Sequence, residues 1–312
     1  MTQELCWNWR GFSIRYSKIN AIDNGSPSGR AVLCIHGFGA SKGHWRHNLE
    51  ALSQNASVYA IDLLGFGNSS KPISCLSREA DTPGGVRYGF DLWAEQIRDF
   101  CIDVIGIDTN CELQLIGNSI GGVVALNATR LLEASGHAPK QVILIDCAQR
   151  ELDLKRLNEQ PWAAQITRPL LMAVVRQRWL IRSLFQILAR RPFVRSVLNQ
   201  AYPSGHNVDD DLVDLLIGPS REPGATESFR GFVNLFNDWL APQLMAQIHT
   251  PVRLLWGEAD PWEPVAEARR WAREFSCIQE LKVLPGLGHC PHDEGPEQVN
   301  PILLDWLKLA WS

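Results

Sequence analysis

Three side chains that lie far apart in the sequence, Ser119, Asp260 and His289, could together carry out nucleophilic catalysis. A serine hydroxyl becomes a strong nucleophile when an imidazole accepts its proton, and a carboxylate usually fixes the tautomer of that imidazole. Each residue follows the C-terminal end of a predicted parallel strand, where sites in such sheets form. We therefore predict Ser119 as the nucleophile, His289 as the base and Asp260 as the acid. The alternative for a single histidine in a loop is a structural role.

The serine stands in a short turn between an apolar run and a segment with helical apolar spacing. The turn reads Gly117-Asn118-Ser119-Ile120-Gly121. Because glycine has no Cβ, the helix can begin close against the strand, and the turn residue can adopt strained backbone dihedrals. The pattern predicts a nucleophile elbow that includes Gly117, Asn118 and Gly121. An ordinary strand-to-helix turn is the alternative interpretation.

Two backbone amides are candidates for stabilising the oxyanion of a tetrahedral intermediate. The N–H of Ile120 follows the nucleophile, and the N–H of Phe38 lies in the His36–Gly39 loop after an earlier predicted strand. The helix N-terminus adds partial positive charge at the same place. The side chain of Phe38 can pack independently, because the donor is a backbone group.

Other carboxylates compete for the role of the acid. Asp146 ends the predicted strand that follows the serine helix, and it is the alternative acid. Asp62 ends an earlier strand, and we expect it to tie down the neighbouring loop. We favour Asp260, because the turn from Gly257 to Asp260 places it opposite the histidine loop.

The elements that must position these residues alternate between strand and helix as far as residue 147. Apolar runs predict strands over 31–35, 58–64, 113–116 and 141–147, with helical spacing between them. Alternating apolar residues predict an edge strand or hairpin over 7–19, and a turn follows at 24–29. This order predicts an α/β class in which helices cover both faces of a mostly parallel sheet.

The pattern changes after residue 148. The segment 149–247 has helical spacing without a strand-like run, and strands resume at 252–256 and 281–284. We therefore expect a first part of the core at 1–148, an inserted helical cap or lid at 149–247, and a second part of the core at 248–312.

Composition narrows the classes of function. The 312 residues carry a net charge of −4, which argues against a nucleic-acid partner. Eight cysteines without a CxxC pair indicate buried thiols in a reducing compartment, and we predict no metal and no cofactor. We also expect a cytoplasmic protein, because neither a signal peptide nor a membrane-spanning apolar stretch is visible.

Four segments carry a resemblance to known proteins: Gly117–Gly122, Gly257–Pro264, Gly288–Glu294 and a cap segment over Val208–Ala225. With these motifs the chain resembles the α/β-hydrolase superfamily over nearly its whole length and, more narrowly, the pheophytinase-like branch of plastids and cyanobacteria. The short segment before His36 leaves no room for a long transit peptide, which favours a bacterial member, such as a cyanobacterial one, over a plastid precursor. The resemblance implies the α/β-hydrolase fold and hydrolysis of a carboxylic ester, such as the phytyl ester of a chlorophyll derivative like pheophytin.

The predicted cap has an unusual charge pattern. Seven arginines and no acidic residue lie between Pro161 and Tyr202, interleaved with large apolar side chains. Such a segment could contact an anionic membrane peripherally. Alternatively, its apolar side packs over the active site while its arginines remain solvated. Either arrangement presents an apolar wall to a hydrophobic small-molecule ester.

Three classes of function stay open at this point. The first is a serine hydrolase that cleaves a hydrophobic ester through an acyl-enzyme. The second is a C–C bond hydrolase or a perhydrolase, which uses the same triad. The third is a non-catalytic ligand receptor on a hydrolase fold. Epoxide hydrolase and haloalkane dehalogenase are disfavoured, because those reactions use an aspartate where Ser119 stands. The sequence does not predict an oligomeric state.

Overall fold

The computed structural model describes residues 2–22, 29–107 and 111–311, and within them eight strands form one sheet. The strands are β1 (Gln3–Trp9), β2 (Phe12–Ile19), β3 (Arg30–Ile35), β4 (Ser57–Ile61), β5 (Glu112–Asn118), β6 (Gln141–Ile145), β7 (Val252–Gly257) and β8 (Ile278–Leu284). Their spatial order is β1-β2-β4-β3-β5-β6-β7-β8. The predicted turn at 24–29 lies outside the described residues except for Gly29.

The sheet is mostly parallel. β1 and β2 form the predicted N-terminal hairpin, and β2 pairs antiparallel with β4. All remaining pairs, from β4 through to β8, are parallel. The prediction of a mostly parallel sheet flanked by helices is confirmed. Because β5, β6 and β7 are neighbours, their carboxyl ends bring Ser119, Asp146 and Asp260 to one edge of the sheet.

Twelve α-helices are found in the described residues. They are α1 (Leu49–Leu52), α2 (Phe90–Phe100), α3 (Ile120–Ala134), α4 (Trp162–Arg176), α5 (Arg178–Leu188), α6 (Arg191–Ala201), α7 (Asp210–Ile217), α8 (Ala225–Val233), α9 (Ala241–Met245), α10 (Val265–Glu274), α11 (Pro291–Glu294) and α12 (Pro296–Ala310). A π-helical turn over Cys101–Ile105 extends α2, and 3₁₀ turns cover Lys42–Trp45, Leu154–Glu159 and Gly218–Arg221.

The sheet separates two hydrophobic layers. One layer includes apolar side chains of α2, α3, α9 and α10, and the other includes those of α1 and α12. The alternation along β3 shows why, since Leu33 and Ile35 belong to the first layer while Val32 and Cys34 belong to the second. All four side chains are fully buried, which explains the continuous apolar run in the sequence.

Two predicted elements have different ends in the structure. The strand expected over 58–64 ends at Ile61, because the Asp62 carboxylate accepts hydrogen bonds from the N–H groups of Lys42 and Asn68 and the chain turns there. The spacing of Trp45, Leu49 and Leu52 predicts one helix after the His36 loop, but the structure has a 3₁₀ turn over Lys42–Trp45 and the separate helix α1. At the break the buried Asn48 amide donates to the carbonyl of His292 instead.

Between β6 and β7 the described chain forms helices α4 to α9 and two 3₁₀ turns, with no strand. These helices contact the core through a third apolar cluster, in which Leu198 and Tyr202 from the end of α6 pack with Leu212, Val213 and Cys290. The division into a cap at 149–247 and two core parts stays a prediction.

Candidate active site

Ser119 occupies a strained turn between β5 and α3. Its backbone φ and ψ are 55° and −123°, a combination that residues other than glycine rarely adopt. The flanking glycines permit this turn. A Cβ on Gly117 would lie 2.3 Å from the Gly121 carbonyl oxygen, and a Cβ on Gly121 would lie 2.4 Å from the Ile35 carbonyl oxygen. The predicted Gly-x-Ser-x-Gly turn is therefore a tightly packed elbow at the head of a helix.

Asp260 contacts His289 directly. The Nδ1 atom of His289 lies 2.7 Å from Asp260 Oδ2, while Asp260 Oδ1 accepts hydrogen bonds from the N–H groups of Trp262 and Glu263. Burial raises the pKa of Asp260, but the hydrogen bond and charge of His289 and the two backbone donors outweigh it and lower the pKa below its usual value. An ionised Asp260 holds a proton on Nδ1 and leaves Nε2 free to accept one.

The His289 backbone is fixed from two sides. Its N–H donates to the carbonyl of Ala201, at the end of α6, at 2.9 Å. Its carbonyl accepts a hydrogen bond from the Asn118 amide at 3.1 Å, which links the histidine loop to the serine turn. Trp262 packs edge-on against the imidazole at 4.9 Å between ring centroids. Ala201 carries no sequence signal for this contact, because the contact depends on packing between distant segments.

Ser119 and His289 border the same cavity, whose volume is about 840 Å³. In the described part of the chain the imidazole bonds to Asp260, and no hydrogen bond joins it to the Ser119 hydroxyl. Catalytic hydrogen bonds of an unliganded site often become short only when substrate binds. The structure thus brings together the elbow, the imidazole and the carboxylate that were predicted from three strand ends.

Both candidate oxyanion donors also border this cavity. A Cβ on Gly37 would lie 3.1 Å from the Ser119 Cβ, so the loop that carries Phe38 runs directly against the elbow. Within the described residues, the N–H groups of Phe38 and Ile120 donate to no other group. The Phe38 ring stacks on Phe232 with 3.8 Å between ring centroids, which holds the loop from the side of α8.

Asp146, the alternative acid, has a different environment. It is fully buried at the end of β6, and its Oδ1 accepts a hydrogen bond from the Gly257 N–H. Burial and the negative charge of Asp260 raise the pKa of Asp146 well above its usual value. The structure thus places Asp260 rather than Asp146 on the imidazole.

The cavity wall is mostly apolar. Leu171 and Val175 of α4, Val197 and Leu198 of α6, and Phe232 and Leu235 after them form much of it. Glu263 also borders the cavity, and sequence analysis did not single it out as a site residue. Its carboxylate accepts a hydrogen bond from the Gln149 N–H, and burial is the main cause that raises its pKa to about 8.

Other histidines near the site have structural partners. His44 Nε2 lies 2.7 Å from the Tyr202 hydroxyl, which donates in turn to Asp293. Burial lowers the pKa of His44 to about 4, so this imidazole stays neutral. Among the described residues, no group of three or more His, Cys, Asp and Glu side chains is arranged to hold a metal ion.

Comparisons with known proteins agree with this geometry. The model of the alpha/beta hydrolase family matches residues 32–302. The chloroplastic pheophytinase of Arabidopsis thaliana is 25% identical over 332 residues, which cover 95% of this chain but only 64% of that protein. The chain thus spans less than two thirds of the length of this relative.

Solved structures show the same fold. A serine hydrolase involved in carbazole degradation superposes with a TM-score of 0.70 at 19% identity, covering 99% of this chain and all of the other. The epoxide hydrolase CorEH superposes with a TM-score of 0.75 at 16% identity, covering 99% of both chains.

Proposed function

The chain belongs to the alpha/beta hydrolase family, and on that premise we propose that it is a serine hydrolase that cleaves a carboxylic ester of a hydrophobic substrate. The family and its hydrolase relatives support a hydrolase. The choice of a serine ester hydrolase is supported above all by one observation: His289, whose Nδ1 atom bonds to Asp260, lines the cavity that the Ser119 elbow borders.

The proposed reaction uses only groups of this chain and water. His289 Nε2 removes the Ser119 proton as the serine oxygen bonds to the ester carbonyl carbon. The N–H groups of Phe38 and Ile120 stabilise the resulting oxyanion, and each such donor contributes about 2.7–4 kcal/mol in related sites. The protonated imidazole then gives its proton to the leaving alcohol as the C–O bond breaks. Water, activated by the same imidazole, releases the acid from the acyl-enzyme.

The serine distinguishes this proposal from epoxide hydrolysis. The epoxide hydrolase CorEH shares the fold at 16% identity, so the fold alone does not select the reaction. A serine rather than an aspartate stands at the elbow, and a serine forms an ester with an acyl group. A C–C bond hydrolase, a perhydrolase and a ligand receptor remain as outcomes of the test described below.

The substrate class follows from the cavity. Its volume of about 840 Å³ lies near the upper end of the ~300–1,000 Å³ typical of small-molecule sites. The apolar walls from α4 and α6 suit a long hydrocarbon chain. Together with the similarity to pheophytinase, this supports the phytyl ester of a chlorophyll derivative such as pheophytin as the substrate. The unpaired state of all eight cysteines supports a cytoplasmic, reducing location.

A hydrolysis screen tests the proposal. Nitrophenyl esters of rising chain length, pheophytin and chlorophyll are compared as substrates of the wild type, Ser119→Ala and Ser135→Ala. We expect Ser119→Ala to reduce kcat by a factor on the order of 10⁶, while Ser135→Ala, at the far end of α3, leaves it unchanged. Long esters should be preferred over short ones.

Three results would contradict all or part of the proposal. Full turnover by Ser119→Ala would exclude this nucleophile. Hydrolysis of short water-soluble esters without hydrolysis of the pigments would exclude a pigment ester as the substrate, while the proposed ester hydrolysis would stand. Turnover of peracid or diketone substrates in place of esters would favour the perhydrolase or the C–C bond hydrolase.

A further inference from the structure

Helix α4 exposes an apolar face to solvent. Trp162, Ile166, Leu170 and Val174 recur every four residues, which places them on one face of the helix. Their exposed fractions are 75%, 68%, 68% and 42%. A solvated helix face normally carries polar side chains. The composition of this face is therefore that of a contact surface, although the described residues leave it exposed.

The adjoining helix α5 continues the exposed apolar surface. Only Gln177 separates the two helices, and Trp179, Leu184 and Ile187 of α5 are also exposed. Of fifteen large hydrophobic side chains exposed in the described residues, nine lie between residues 162 and 193. Such a concentration of exposed apolar side chains marks an interaction site rather than ordinary surface.

The opposite side of α4 belongs to the active-site cavity. Leu171 and Val175 line that cavity, and the buried Arg168 guanidinium lies 5.8 Å from the Phe236 ring. Leu171 is itself 43% exposed. The exposed apolar surface of α4 thus adjoins the wall of the cavity at Leu171.

Three arginines of this segment form ion pairs with acidic residues of other helices, and a fourth donates a hydrogen bond to a backbone carbonyl. Arg178 pairs with Glu227 of α8, and Arg191 pairs with Asp210 and Asp214 of α7. Arg195 also pairs with Asp210, and Arg176 donates to the Ser77 carbonyl.

Arg182 and Arg190 differ from these arginines. Both are exposed, and within the described residues neither has an acidic partner. Arg182 follows Trp179 by three residues and therefore shares its side of α5. The outer face, which we define as the exposed apolar side chains of α4 and α5 together with Arg182 and Arg190, is thus apolar and positively charged.

These properties select one occupant. We propose that the outer face docks on an anionic lipid surface, with Trp162 and Trp179 at the headgroup level and Arg182 and Arg190 on the lipid phosphates. Tryptophan rings favour the membrane–water boundary, and exposed arginines are attracted to anionic headgroups. The segment from Pro161 to Tyr202 contains no acidic residue, so the same face of a symmetric second copy would offer no carboxylate to these arginines. No helix in the described residues is long and apolar enough to cross a bilayer, so the contact is peripheral.

Docking gives the ester a route to Ser119. An ester dissolved in the lipid enters beside Leu171 and leaves the hydrocarbon without crossing water. This route rests on the proposed function, whereas the docking itself does not.

Vesicle sedimentation tests the docking. Wild-type protein is sedimented with vesicles of phosphatidylcholine alone and with vesicles that also contain phosphatidylglycerol. We expect binding to the anionic vesicles only. The double variant Arg182→Gln with Arg190→Gln should bind about 25-fold more weakly, since each arginine near the surface contributes about fivefold. Trp162→Ser with Trp179→Ser should bind more weakly to the same vesicles.

Matched controls lie on other surfaces. Arg269→Gln with Arg273→Gln removes two exposed arginines of α10, and Ile22→Ser removes an exposed apolar side chain near the N-terminal hairpin. Both should bind anionic vesicles as the wild type does. All surface variants should retain full turnover of a short soluble ester, but the outer-face variants should lose turnover of an ester embedded in anionic vesicles.

Three results would overturn the docking: equal binding to both vesicle types, wild-type binding by the outer-face variants, or a dimer in solution that Trp162→Ser with Trp179→Ser dissociates. Ser119→Ala separates the two proposals. We expect it to bind anionic vesicles normally while lacking turnover. If instead it retained turnover, the proposed function would fail and the docking would stand.

Discussion

The sheet edge that carries Ser119 and the outer face of α4 and α5 differ in the burial and hydrogen bonding of their side chains. At the sheet edge Ser119, Asp260 and His289 are buried, and hydrogen bonds from neighbouring segments hold the Asp260 carboxylate and the His289 backbone. On the outer face Trp162 and Trp179 are mostly exposed. A catalytic site needs reactive groups that are held in place before the substrate binds. A surface that binds another molecule or a membrane needs apolar area that is still exposed.

The end of α6 connects these two regions. The Ala201 carbonyl accepts the hydrogen bond of the His289 N–H, and the Tyr202 hydroxyl bridges His44 and Asp293. The helices after β6 are therefore attached to the sheet edge at α6, while α4 borders the cavity farther from this attachment. We infer that the rate of the chemical step depends on the residues at the sheet edge and that access of the substrate to the cavity depends on α4.

The largest effect should come from the sheet edge. Asp260→Asn removes the carboxylate that fixes the imidazole tautomer, and we expect kcat to fall by about 10⁴. Asp146→Asn should leave turnover close to that of the wild type, because Asp260 rather than Asp146 bonds to the imidazole. Steady-state kinetics with a soluble ester measure both variants. A large loss in Asp146→Asn with little loss in Asp260→Asn would reverse the assignment of the acid.

A smaller effect is expected where α6 meets the core. Tyr202→Phe leaves the buried Nε2 of His44 without its partner and removes a hydrogen bond to Asp293, which should lower the free energy of unfolding by about 1–3 kcal/mol. Urea denaturation measures the change. Tyr59→Phe is the matched control, since Tyr59 is also buried and its hydroxyl makes no hydrogen bond within the described residues. Equal losses in the two variants would show that the bridge contributes nothing specific.

The smallest effect concerns pH. Because the pKa of Glu263 is about 8 in the folded protein and its ordinary value is 4.5, the folded state holds the proton more tightly. This group therefore stabilises the protein fully below about pH 4.5, and its contribution is lost as the pH rises towards 8.

Glu263→Gln should remove that part of the pH dependence, with a difference in Tm on the order of 2 °C between pH 5 and pH 8. Thermal melts of both proteins across this range test it. Parallel curves would show that Glu263 titrates normally.

Features of this molecule that depend on local sequence patterns could be predicted, whereas features that depend on contacts between distant residues could not. The elbow follows from a five-residue pattern around Ser119, and the strands whose ends carry Asp260 and His289 follow from apolar runs. The contact from Ala201 to His289 depends on how helices pack after β6, for which the sequence carries no local signal. The break at Asn48 likewise depends on a hydrogen bond to His292, more than 240 residues away. The arginine-rich segment is visible in the sequence, but which of its apolar side chains are exposed depends on how α4 and α5 pack.

The most direct test of the account is covalent labelling of the nucleophile. The folded protein is treated with a fluorophosphonate, and the modified peptide is identified by mass spectrometry. We predict phosphonylation of Ser119 in the wild type and a greatly reduced rate of labelling in His289→Ala. Labelling of a different serine, or no labelling of the folded wild type, would contradict a Ser119 activated by His289.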